Sequence, residues 1–424
     1  MLKIIPGNIR NTTVTVPGSK SYTHRTFIAA ALSDGECRID NWLDSEDTRY
    51  TLDALSRFGA KIEKRPAGLS VYGRSGGMDA CDSQIYIGNS GTSMRLLTSY
   101  AILGKGRYVL SGTDRMHERP IQHLLDALHQ IGVHAVSLNH DGCPPLEIMG
   151  GKIAGGEVRI NCSISSQFLS GLLLIAPYTE KGLKIHVTHG PVSRPYIDMT
   201  VDIMSQFGVP VVRDGYDYFE IAGDRHYQSG HYTVEPDASQ AGYFWAAAAI
   251  TGARIKVAGI TGNSSQGDVR FAEVLGQMGC NVTHEPDGIS VTGGNLSGIE
   301  VDMADMPDIV PTLAVVAAFA KGTTKIKNVA HLKVKESDRL TAVINELTKM
   351  GISARSDHDD LIVTGGSPHG AVIETYNDHR MAMCFAIAGL VVPGIEILNE
   401  GCVGKSFPAF WEVFEGLREN YYVR

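Results

Sequence analysis

The chain has 424 residues, of which 43% are hydrophobic and 20% are charged, and its formal net charge is −8. This length is too great for one hydrophobic core, so we expect at least two domains, and the composition is that of an ordinary globular protein. The negative charge argues against a nucleic-acid-binding protein with a broad basic surface, so an anion site has to come from a local cluster of cations.

Cysteine usage and hydropathy narrow the class further. Seven cysteines, scattered and without a CxxC pair or zinc-ligand spacing, predict reduced thiols in a cytoplasm-like compartment and no metal site. The first residues, MLKIIPGNIR, lack the apolar core of a signal peptide. No apolar run approaches the roughly 18 residues of a membrane span, so we expect no membrane partner.

Along the chain, one type of segment recurs that opens with polar residues and continues with small apolar ones. Ser, Thr, Asp and Asn are good N-caps, and Ala-rich bodies without a polar face are typical of helices buried inside a domain. In chain order the six segments are SKSYTHRTFIAAAL, SGTSMRLLTSYAIL, SISSQFLSGLLLIA, DASQAGYFWAAAAI, MPDIVPTLAVVAAF and NDHRMAMCFAIAGL.

A second type of segment is an amphipathic helix that ends in an apolar residue and a glycine, after which a β-rich run follows. Glycine suits this place because it takes the left-handed conformation that ends a helix. Successive glycines are 73, 76, 71 and 72 residues apart, which indicates an internal repeat. The five glycines are Gly59, Gly132, Gly208, Gly279 and Gly351.

Together the segments predict six α/β units, three on each side of a midpoint near Glu235. Each unit has two helices and several strands. A helix N-terminus carries partial positive charge and free N–H groups, so buried helices that begin with polar and often cationic residues favour anion binding. If both halves direct these ends toward one cleft, that cleft attracts anions.

Eight short motifs are spread in order over nearly the whole chain: PGSKSYTHR, GNSGTSMR, ERPI, SSQF, SRPYID, VKESDR, NDHRMAM and GKSFP. No single motif is decisive, but the ordered set is specific. Together they resemble the EPSP synthase (3-phosphoshikimate 1-carboxyvinyltransferase) family of enolpyruvyl transferases. The resemblance implies an α/β fold of two domains, each with three βαβαββ units about a pseudo-threefold axis. Residues 20–232 form one domain, and residues 1–19 plus 233–424 form the other.

The resemblance also implies the reaction. The enolpyruvyl group of phosphoenolpyruvate is transferred to the 5-hydroxyl of shikimate 3-phosphate and phosphate is released, in the shikimate pathway of aromatic amino-acid biosynthesis. Glyphosate targets this family. The implied protein is a cytoplasmic monomer without a cofactor or metal and without a nucleic-acid partner. Its active site lies in a cleft between the domains, and we expect facing cations to hold the cleft open until the substrates neutralise them.

By the same resemblance, Asp308 is the candidate base for the 5-hydroxyl and Glu336 the candidate acid for the methylene carbon of phosphoenolpyruvate. Lys20 and Lys335 are further candidates, and the resemblance leaves open how the proton transfers are divided among the four residues. The residues implied for shikimate 3-phosphate are Lys20, Ser21, Arg25, Ser165, Ser166, Gln167, Ser193, Asp308, His331 and Lys335, with Tyr196 nearby. Those implied for phosphoenolpyruvate are Lys20, Gly91, Thr92, Arg119, Gln167, Arg339, His379, Arg380 and Lys405.

Two residues depart from the common pattern of the family. His331 replaces the usual Asn, and we expect it to titrate near pH 6.5, so that affinity for shikimate 3-phosphate falls as the pH rises through that range. Leu96 stands where many members have proline, at what we take to be a helix start. There it is expected to shift Gly91 and Thr92 and to alter affinity for analogues such as glyphosate.

Other interpretations fit the sequence less well. One alternative is enolpyruvyl transfer to a UDP-amino sugar, but the mobile loop of that related family usually carries a reactive cysteine, and the matching segment SGTDRMHERP has none. A P-loop at NEGCVGKSFP lacks glycine at the required position, which is Asn399. Asp378 and His379 are two potential metal ligands, but a helix cap explains the motif better. A non-catalytic phosphate-binding scaffold stays open as the second alternative beside UDP-amino sugar transfer, although both Asp308 and Glu336 are present.

Overall fold

The computed structural model of the chain describes residues 1–66, 68–81 and 83–419. Within it the chain forms two compact units, each with its own hydrophobic core. The central unit comprises Gly18–Glu235, and the split unit comprises Met1–Pro17 together with Pro236–Arg424. None of the helices described is long and apolar enough to cross a membrane.

The described residues form twelve α-helices and 23 strands. The helices are α1 (Lys20–Leu32), α2 (Glu46–Arg57), α3 (Gly91–Ala101), α4 (Gln122–Gln130), α5 (Gln167–Ile175), α6 (Pro195–Gln206), α7 (Ala238–Thr251), α8 (Phe271–Gln277), α9 (Val310–Ala317), α10 (Arg339–Lys349), α11 (His379–Ala388) and α12 (Phe410–Glu415). The strands are β1 (Leu2–Lys3), β2 (Thr12–Val14), β3 (Glu36–Asp40), β4 (Lys61–Arg65), β5 (Gly68–Tyr72), β6 (Ile85–Tyr86), β7 (Gly106–Ser111), β8 (Ala135–Ser137), β9 (Leu146–Gly150), β10 (Gly156–Asn161), β11 (Leu183–His189), β12 (Val212–Asp214), β13 (Tyr218–Ile221), β14 (Gly230–Thr233), β15 (Arg254–Ala258), β16 (Asn281–Glu285), β17 (Gly288–Thr292), β18 (Glu300–Asp302), β19 (Thr323–Lys327), β20 (Ser353–Asp357), β21 (Asp360–Thr364), β22 (Val372–Ile373) and β23 (Glu396–Ile397).

The strands of the described residues form six small sheets, five of which share one plan. In the sheet ordered β6-β7-β9-β8, strands β6 and β7 are parallel, and β9 is antiparallel to both of its neighbours, β7 and β8. Four more sheets follow this plan, with orders β10-β11-β13-β12, β14-β3-β5-β4, β2-β15-β17-β16 and β18-β19-β21-β20, and the sixth has the strands β1-β23-β22. This arrangement confirms the predicted βαβαββ units.

Two sheets are completed by a strand that is distant in sequence. Strand β2 pairs in parallel with β15, so that the N-terminal segment completes a sheet of the split unit. Strand β14 likewise pairs in parallel with β3, at the opposite end of the central unit's sequence. The chain therefore passes from one unit to the other twice, after Pro17 and after Glu235.

The six predicted buried helices are α1, α3, α5, α7, α9 and α11, and they lie in the two cores. Four of them begin after a side-chain cap, in which Ser19, Ser90, Asp237 or Asp378 accepts a hydrogen bond from a backbone N–H of the first turn. Such caps satisfy donors that a helix start leaves without a partner. The first turns of these helices carry seven of the predicted site residues: Lys20, Ser21, Gly91, Thr92, Gln167, His379 and Arg380.

The five repeat glycines end the amphipathic helices as predicted. Their φ angles are all positive: 95° at Gly59, 80° at Gly132, 81° at Gly208, 114° at Gly279 and 79° at Gly351. Most residues with a Cβ rarely adopt this conformation, which explains the glycine at each position. The spacing of these glycines in the sequence is therefore the spacing between successive helix ends.

Candidate active site

In the central unit, Lys20 is the first residue of α1. Its Nζ lies 3.1 Å from Oδ2 of Asp47, and both side chains are buried. Ser19 caps the helix just before it, and Ser21 follows as a partly exposed side chain. A buried ammonium needs a counter-charge, and Asp47 supplies it in the absence of a ligand.

Arg25, one turn further along α1, is fully buried. Its guanidinium donates to Oγ1 of Thr200 at 2.7 Å, to the carbonyl of Tyr196 at 3.0 Å, to Oγ of Ser170 at 3.2 Å and to the carbonyl of Ser21 at 2.9 Å. These bonds use four of the five N–H groups of an arginine. Burial lowers the pKa of Arg25 to about 10, so the side chain stays charged at neutral pH. In the described contacts, Arg25 holds α1 against α5 and α6.

Gln167 joins two parts of the predicted site. Its Nε2 donates to Oγ1 of Thr92 at 2.9 Å, while its Oε1 accepts from Arg95 at 2.7 Å. The amide therefore links the start of α5 to the start of α3. Ser165 and Ser166, both buried, precede it, and Oγ of Ser165 accepts from the backbone N–H of Gln167 at 3.2 Å.

Ser193 is a buried serine with an unusual backbone. Its φ is 57°, and its Oγ is buried without a hydrogen-bond partner among the described residues. Buried hydroxyl groups in native proteins are nearly always hydrogen-bonded, so an orphan one calls for an explanation such as a ligand. Tyr196, predicted to lie nearby, is in the first turn of α6, three residues on.

Gly91 and Arg119 are in close contact. The guanidinium of Arg119 donates from Nη1 to the backbone carbonyl of Asn89 at 3.0 Å and to the Oδ1 of that residue at 3.1 Å. A Cβ added to Gly91 would lie 2.3 Å from Nη2 of Arg119. The structure thus gives a steric reason for glycine at the start of α3, and it brings together two residues predicted to bind phosphoenolpyruvate.

In the split unit, Asp308 lies between two arginines. Nη1 of Arg339 is 2.9 Å from its Oδ1, and Nη2 of Arg380 is 2.6 Å from its Oδ2. Burial opposes ionisation, but the guanidinium groups of Arg380 and Arg339 outweigh it and hold the pKa of Asp308 well below its ordinary value. The candidate base is therefore a carboxylate at neutral pH.

Arg339 itself is surrounded by three carboxylates. Besides Asp308, it contacts Oδ2 of Asp378 through Nε at 2.7 Å and Oε2 of Glu336 through Nη2 at 2.8 Å. Burial would lower its pKa, but the carboxylates of Asp378, Glu336 and Asp308 raise it above the ordinary value. The two predicted proton-transfer residues of this unit, Asp308 and Glu336, thus share one arginine.

His331 contradicts the predicted titration near pH 6.5. The ring is buried, and burial together with the charge of Lys335 lowers its pKa to about 3, against a smaller opposing effect of Asp308. The imidazole is therefore neutral at all ordinary pH values. Its Nε2 has no hydrogen-bond partner among the described residues. The expected pH dependence of substrate affinity is wrong for this ring, because the sequence did not show how deeply it is buried.

The remaining predicted residues of the split unit are also buried or partly buried. Lys335 is partly exposed directly after the 3₁₀ helix Ala330–Val334, and Lys405 is buried at the end of the 3₁₀ helix Glu400–Lys405. His379 is fully buried, with its Nδ1 3.6 Å from Oδ1 of Asp378. Asp378 caps α11, which confirms the helix-cap interpretation of NDHR.

The assumption about Leu96 is wrong in one respect. Helix α3 begins at Gly91, so Leu96 is a buried residue of its second turn and is not at its start. An effect of this residue on affinity for analogues stays a prediction.

Several site residues have no signal in the sequence patterns. Asp47 and Asn89 are recognisable only by their contacts with Lys20 and Arg119. Asp268 is a buried carboxyl that accepts a hydrogen bond from Ser239, and burial, with the nearby charge of Asp308, raises its pKa to about 7. In the sequence, Asp268 is an acidic residue shortly before a helix, and nothing in that pattern distinguishes a buried carboxyl from an exposed one.

The fold is the two-domain fold of the enolpyruvyl transferases. A solved structure of EPSP synthase from Acinetobacter baumannii superposes with a TM-score of 0.82, at 31% identity and with 98% of each chain covered. A sequence model described as EPSP synthase (3-phosphoshikimate 1-carboxyvinyltransferase) matches residues 6–414. Curated relatives with the name 3-phosphoshikimate 1-carboxyvinyltransferase are 44% identical in Erwinia tasmaniensis, over 94% of each chain, and 42% identical in Methanospirillum hungatei, over 96% of each chain. The chain belongs to the EPSP synthase family.

Proposed function

We propose that this chain performs the family's reaction with the side chains described above. As an enzyme of this family, it transfers the enolpyruvyl group of phosphoenolpyruvate to the 5-hydroxyl of shikimate 3-phosphate and releases phosphate, a step of aromatic amino-acid biosynthesis. The observation that carries the proposal is the position of Asp308 between Arg339 and Arg380. It places a carboxylate base among the guanidinium groups that suit a substrate with a carboxylate and a phosphate.

Phosphoenolpyruvate binding changes the state of this base. The carboxylate and phosphate of the substrate compete with Asp308 for the two guanidinium groups. As Arg339 and Arg380 turn to the substrate, Asp308 loses the charges that depress its pKa and becomes a stronger base. In this way the arrival of one substrate prepares the group that deprotonates the other.

The reaction then proceeds in two stages. Glu336, released by Arg339 as that arginine turns to the substrate, enters the reaction in its protonated form and gives its proton to the methylene carbon of phosphoenolpyruvate. The 5-hydroxyl oxygen attacks the neighbouring carbon, and Asp308 takes the hydroxyl proton. The tetrahedral adduct then loses a proton from its new methyl group to Glu336 while the bond to the phosphate oxygen breaks. Phosphate leaves with the proton that Asp308 had taken, so both carboxyl groups return to their starting states, and the double bond is restored. General acid and base groups of this kind typically contribute about 10²–10⁴-fold each.

In the central unit, shikimate 3-phosphate is bound by hydroxyl groups and helix starts. Ser165, Ser166 and Ser193 are buried serines, and the orphan Oγ of Ser193 is a free donor for the phosphate. The first turn of α5 adds backbone N–H groups. Lys20 then exchanges Asp47 for a substrate anion. Gln167 places the two substrates side by side, since it bonds to Thr92 of α3.

The groups of the two units act on one shared pair of substrates, and this is part of the proposal. It follows the expected domains, residues 20–232 and residues 1–19 plus 233–424, with the active site in the cleft between them. We further propose that the protein is a monomer. We also propose that it works in a reducing cytoplasm, and the scattered free cysteines support this compartment.

A phosphate-release assay with purified protein tests the function. Phosphate should form only with phosphoenolpyruvate and shikimate 3-phosphate together, and a UDP-amino sugar in place of the second substrate should give none. Asp308→Asn should abolish most turnover. The matched control is Asp302→Asn, which removes an exposed carboxylate six residues upstream that contacts Asn328 and the backbone of Ala304. Binding of both substrates without phosphate release would favour the non-catalytic scaffold.

A further inference from the structure

The loop that leads into α11 has an unusual backbone. Tyr376 and Asn377, two consecutive residues that are not glycine, have φ angles of 53° and 52°. Asparagine adopts this left-handed conformation readily, but a tyrosine holds it only when the surrounding structure imposes it. The next three residues are Asp378, His379 and Arg380, so this left-handed pair is directly connected to the site.

A fully buried carboxylate on α10 holds this loop. Oε1 of Glu346 accepts a hydrogen bond from the hydroxyl of Tyr376 at 2.8 Å, and Oε2 accepts from the backbone N–H of Glu374 at 3.1 Å. Nζ of Lys349, one turn further along the same helix, lies 2.9 and 2.8 Å from the two oxygens and balances the charge. A buried carboxylate with all these partners is a rigid attachment point.

The loop transmits its position to both arginines of Asp308. The carboxylate of Asp378 accepts from Nε of Arg339 at 2.7 Å and from the backbone N–H of Arg380 at 3.0 Å. A shift of the loop therefore moves a carboxylate that orients one arginine and moves the first turn of the helix that carries the other. The loop has a further contact outside α10, in which Nδ2 of Asn399 donates to Oδ1 of Asn377 at 3.0 Å.

We propose that Glu346 is a positioning residue for phosphoenolpyruvate. It contacts neither of the reacting groups, but it keeps the loop Glu374–Asn377 in its left-handed conformation, and through Asp378 it sets the directions of Arg339 and Arg380. This inference rests on the proposed function of those arginines. Glu346 is seven residues beyond Arg339 on α10, so the same helix supports the arginine at its first turn and the loop in the middle.

The substitution Glu346→Gln tests this role. A side-chain amide of similar volume has one acceptor oxygen, so it cannot accept from both the N–H of Glu374 and the hydroxyl of Tyr376. It also loses the negative charge that pairs with Lys349 and places an N–H₂ group beside that ammonium. We expect the KM for phosphoenolpyruvate to rise about tenfold, with the KM for shikimate 3-phosphate within about twofold and a smaller fall in kcat. A merely structural role would lower thermal stability without separating the two KM values.

The matched control is Glu285→Gln. Glu285 is a partly buried carboxylate in the same unit that also contacts a lysine, at 2.9 Å from Lys256, and accepts from a hydroxyl, that of Ser290. Its contacts lie within a β-sheet and lead to none of the predicted site residues. If Glu346→Gln does not fold, Tyr376→Phe removes a single loop contact and should raise the KM for phosphoenolpyruvate about threefold.

Hydrogen–deuterium exchange separates this inference from the proposed function. Glu346→Gln should accelerate exchange of the amides of residues 374–380 relative to Glu285→Gln, whatever the wild-type protein catalyses. Faster exchange in a protein without phosphate release supports the anchor and refutes the proposed function. An active wild type in which both KM values and the exchange of residues 374–380 match the control would overturn the anchor.

Discussion

The substitution Gly91→Ala is the most direct test of how the cations are arranged. A methyl group at this position would lie 2.3 Å from Nη2, 2.6 Å from Cζ and 2.9 Å from Nη1 of Arg119. To reach an ordinary contact, the guanidinium has to retreat by about 1 Å, since real Cβ contacts rarely fall below 3.4 Å. That movement disturbs both hydrogen bonds from Arg119 to Asn89.

The effect on stability should be small, and the effect on binding should be large. The preference for alanine over glycine, about 0.8–1.0 kcal/mol in a helix interior, is an upper limit at Gly91, the first residue of α3, and it offsets at most part of the loss of the two bonds to Asn89. A displacement of about 1 Å in a positioning group can lower the rate by about 10²-fold. We therefore expect the KM for phosphoenolpyruvate to rise by about 10- to 100-fold, while the KM for shikimate 3-phosphate changes much less.

Steady-state kinetics with each substrate varied in turn measures this, beside the control Gly276→Ala. Gly276 lies in α8, where a methyl group would meet only Cγ2 of Val282 at 3.3 Å. The control should leave both KM values unchanged. A Gly91→Ala protein with the parental KM for phosphoenolpyruvate would refute the reasoning, because it would mean that the position of the Arg119 guanidinium does not matter for that substrate.

Three other predictions concern titrating groups. Asp308→Asn should lower turnover by about 10²–10⁴-fold. Because the fold depresses the pKa of Asp308, the parent should also lose more stability than the variant as the pH falls below the ordinary value of 3.8, which denaturation experiments measure. His331→Asn and the parent should show the same change in shikimate 3-phosphate affinity between about pH 5.5 and about pH 8.5, because burial keeps the pKa of His331 at about 3; a weaker pH dependence in the variant, seen by calorimetry, would contradict this. Burial raises the pKa of Asp268 from 3.8 to about 7, so the folded form binds the extra proton and loses stability as the pH rises through that range; Asp268→Asn should remove that loss, and equal pH slopes in both proteins would argue against a buried neutral acid.

What the sequence predicts well here is local. The six buried helices and the five glycine stops follow from N-caps, small apolar residues and positive φ angles, which depend on neighbours within a few residues. The resemblance supplies the names of site residues in the same way, since each motif is a short run of the chain. These features repeat with a period, so each copy supports the interpretation of the others.

What the sequence does not predict are the partners of the charged groups. Lys20 meets Asp47 from 27 positions away, and Arg339 meets Asp378 from 39 positions away. Such distances along the chain are closed only by the tertiary fold. The burial of His331 belongs to the same class, because its neighbours in the sequence are a mixture of charged and apolar residues that fits an exposed turn equally well.

The pairing of charges alters the physical interpretation of the site. The sequence suggests bare cations that repel each other, a repulsion of about 4 kcal/mol for a pair at 4 Å in a medium of effective dielectric constant near 20. Within each unit, however, Lys20 contacts Asp47, and Arg339 and Arg380 contact Asp308. Repulsion inside a unit is therefore largely cancelled before any ligand arrives.

In the proposed function, substrate binding exchanges one anion for another at these cations. The substrate's carboxylate or phosphate has to displace a protein carboxylate that already has good geometry, so the net gain in free energy per contact is smaller than that of a new ion pair. The displaced carboxylate then serves as the base, because Asp308 without its two arginines has a higher pKa and accepts a proton more readily. In this mechanism, part of the binding free energy of phosphoenolpyruvate is used to separate Asp308 from its arginines, and Asp308 becomes more basic only while that substrate is bound. A site with bare arginines would bind the substrate more tightly and leave its base unchanged, which is the poorer arrangement for catalysis, because uniform binding does not accelerate the chemical step.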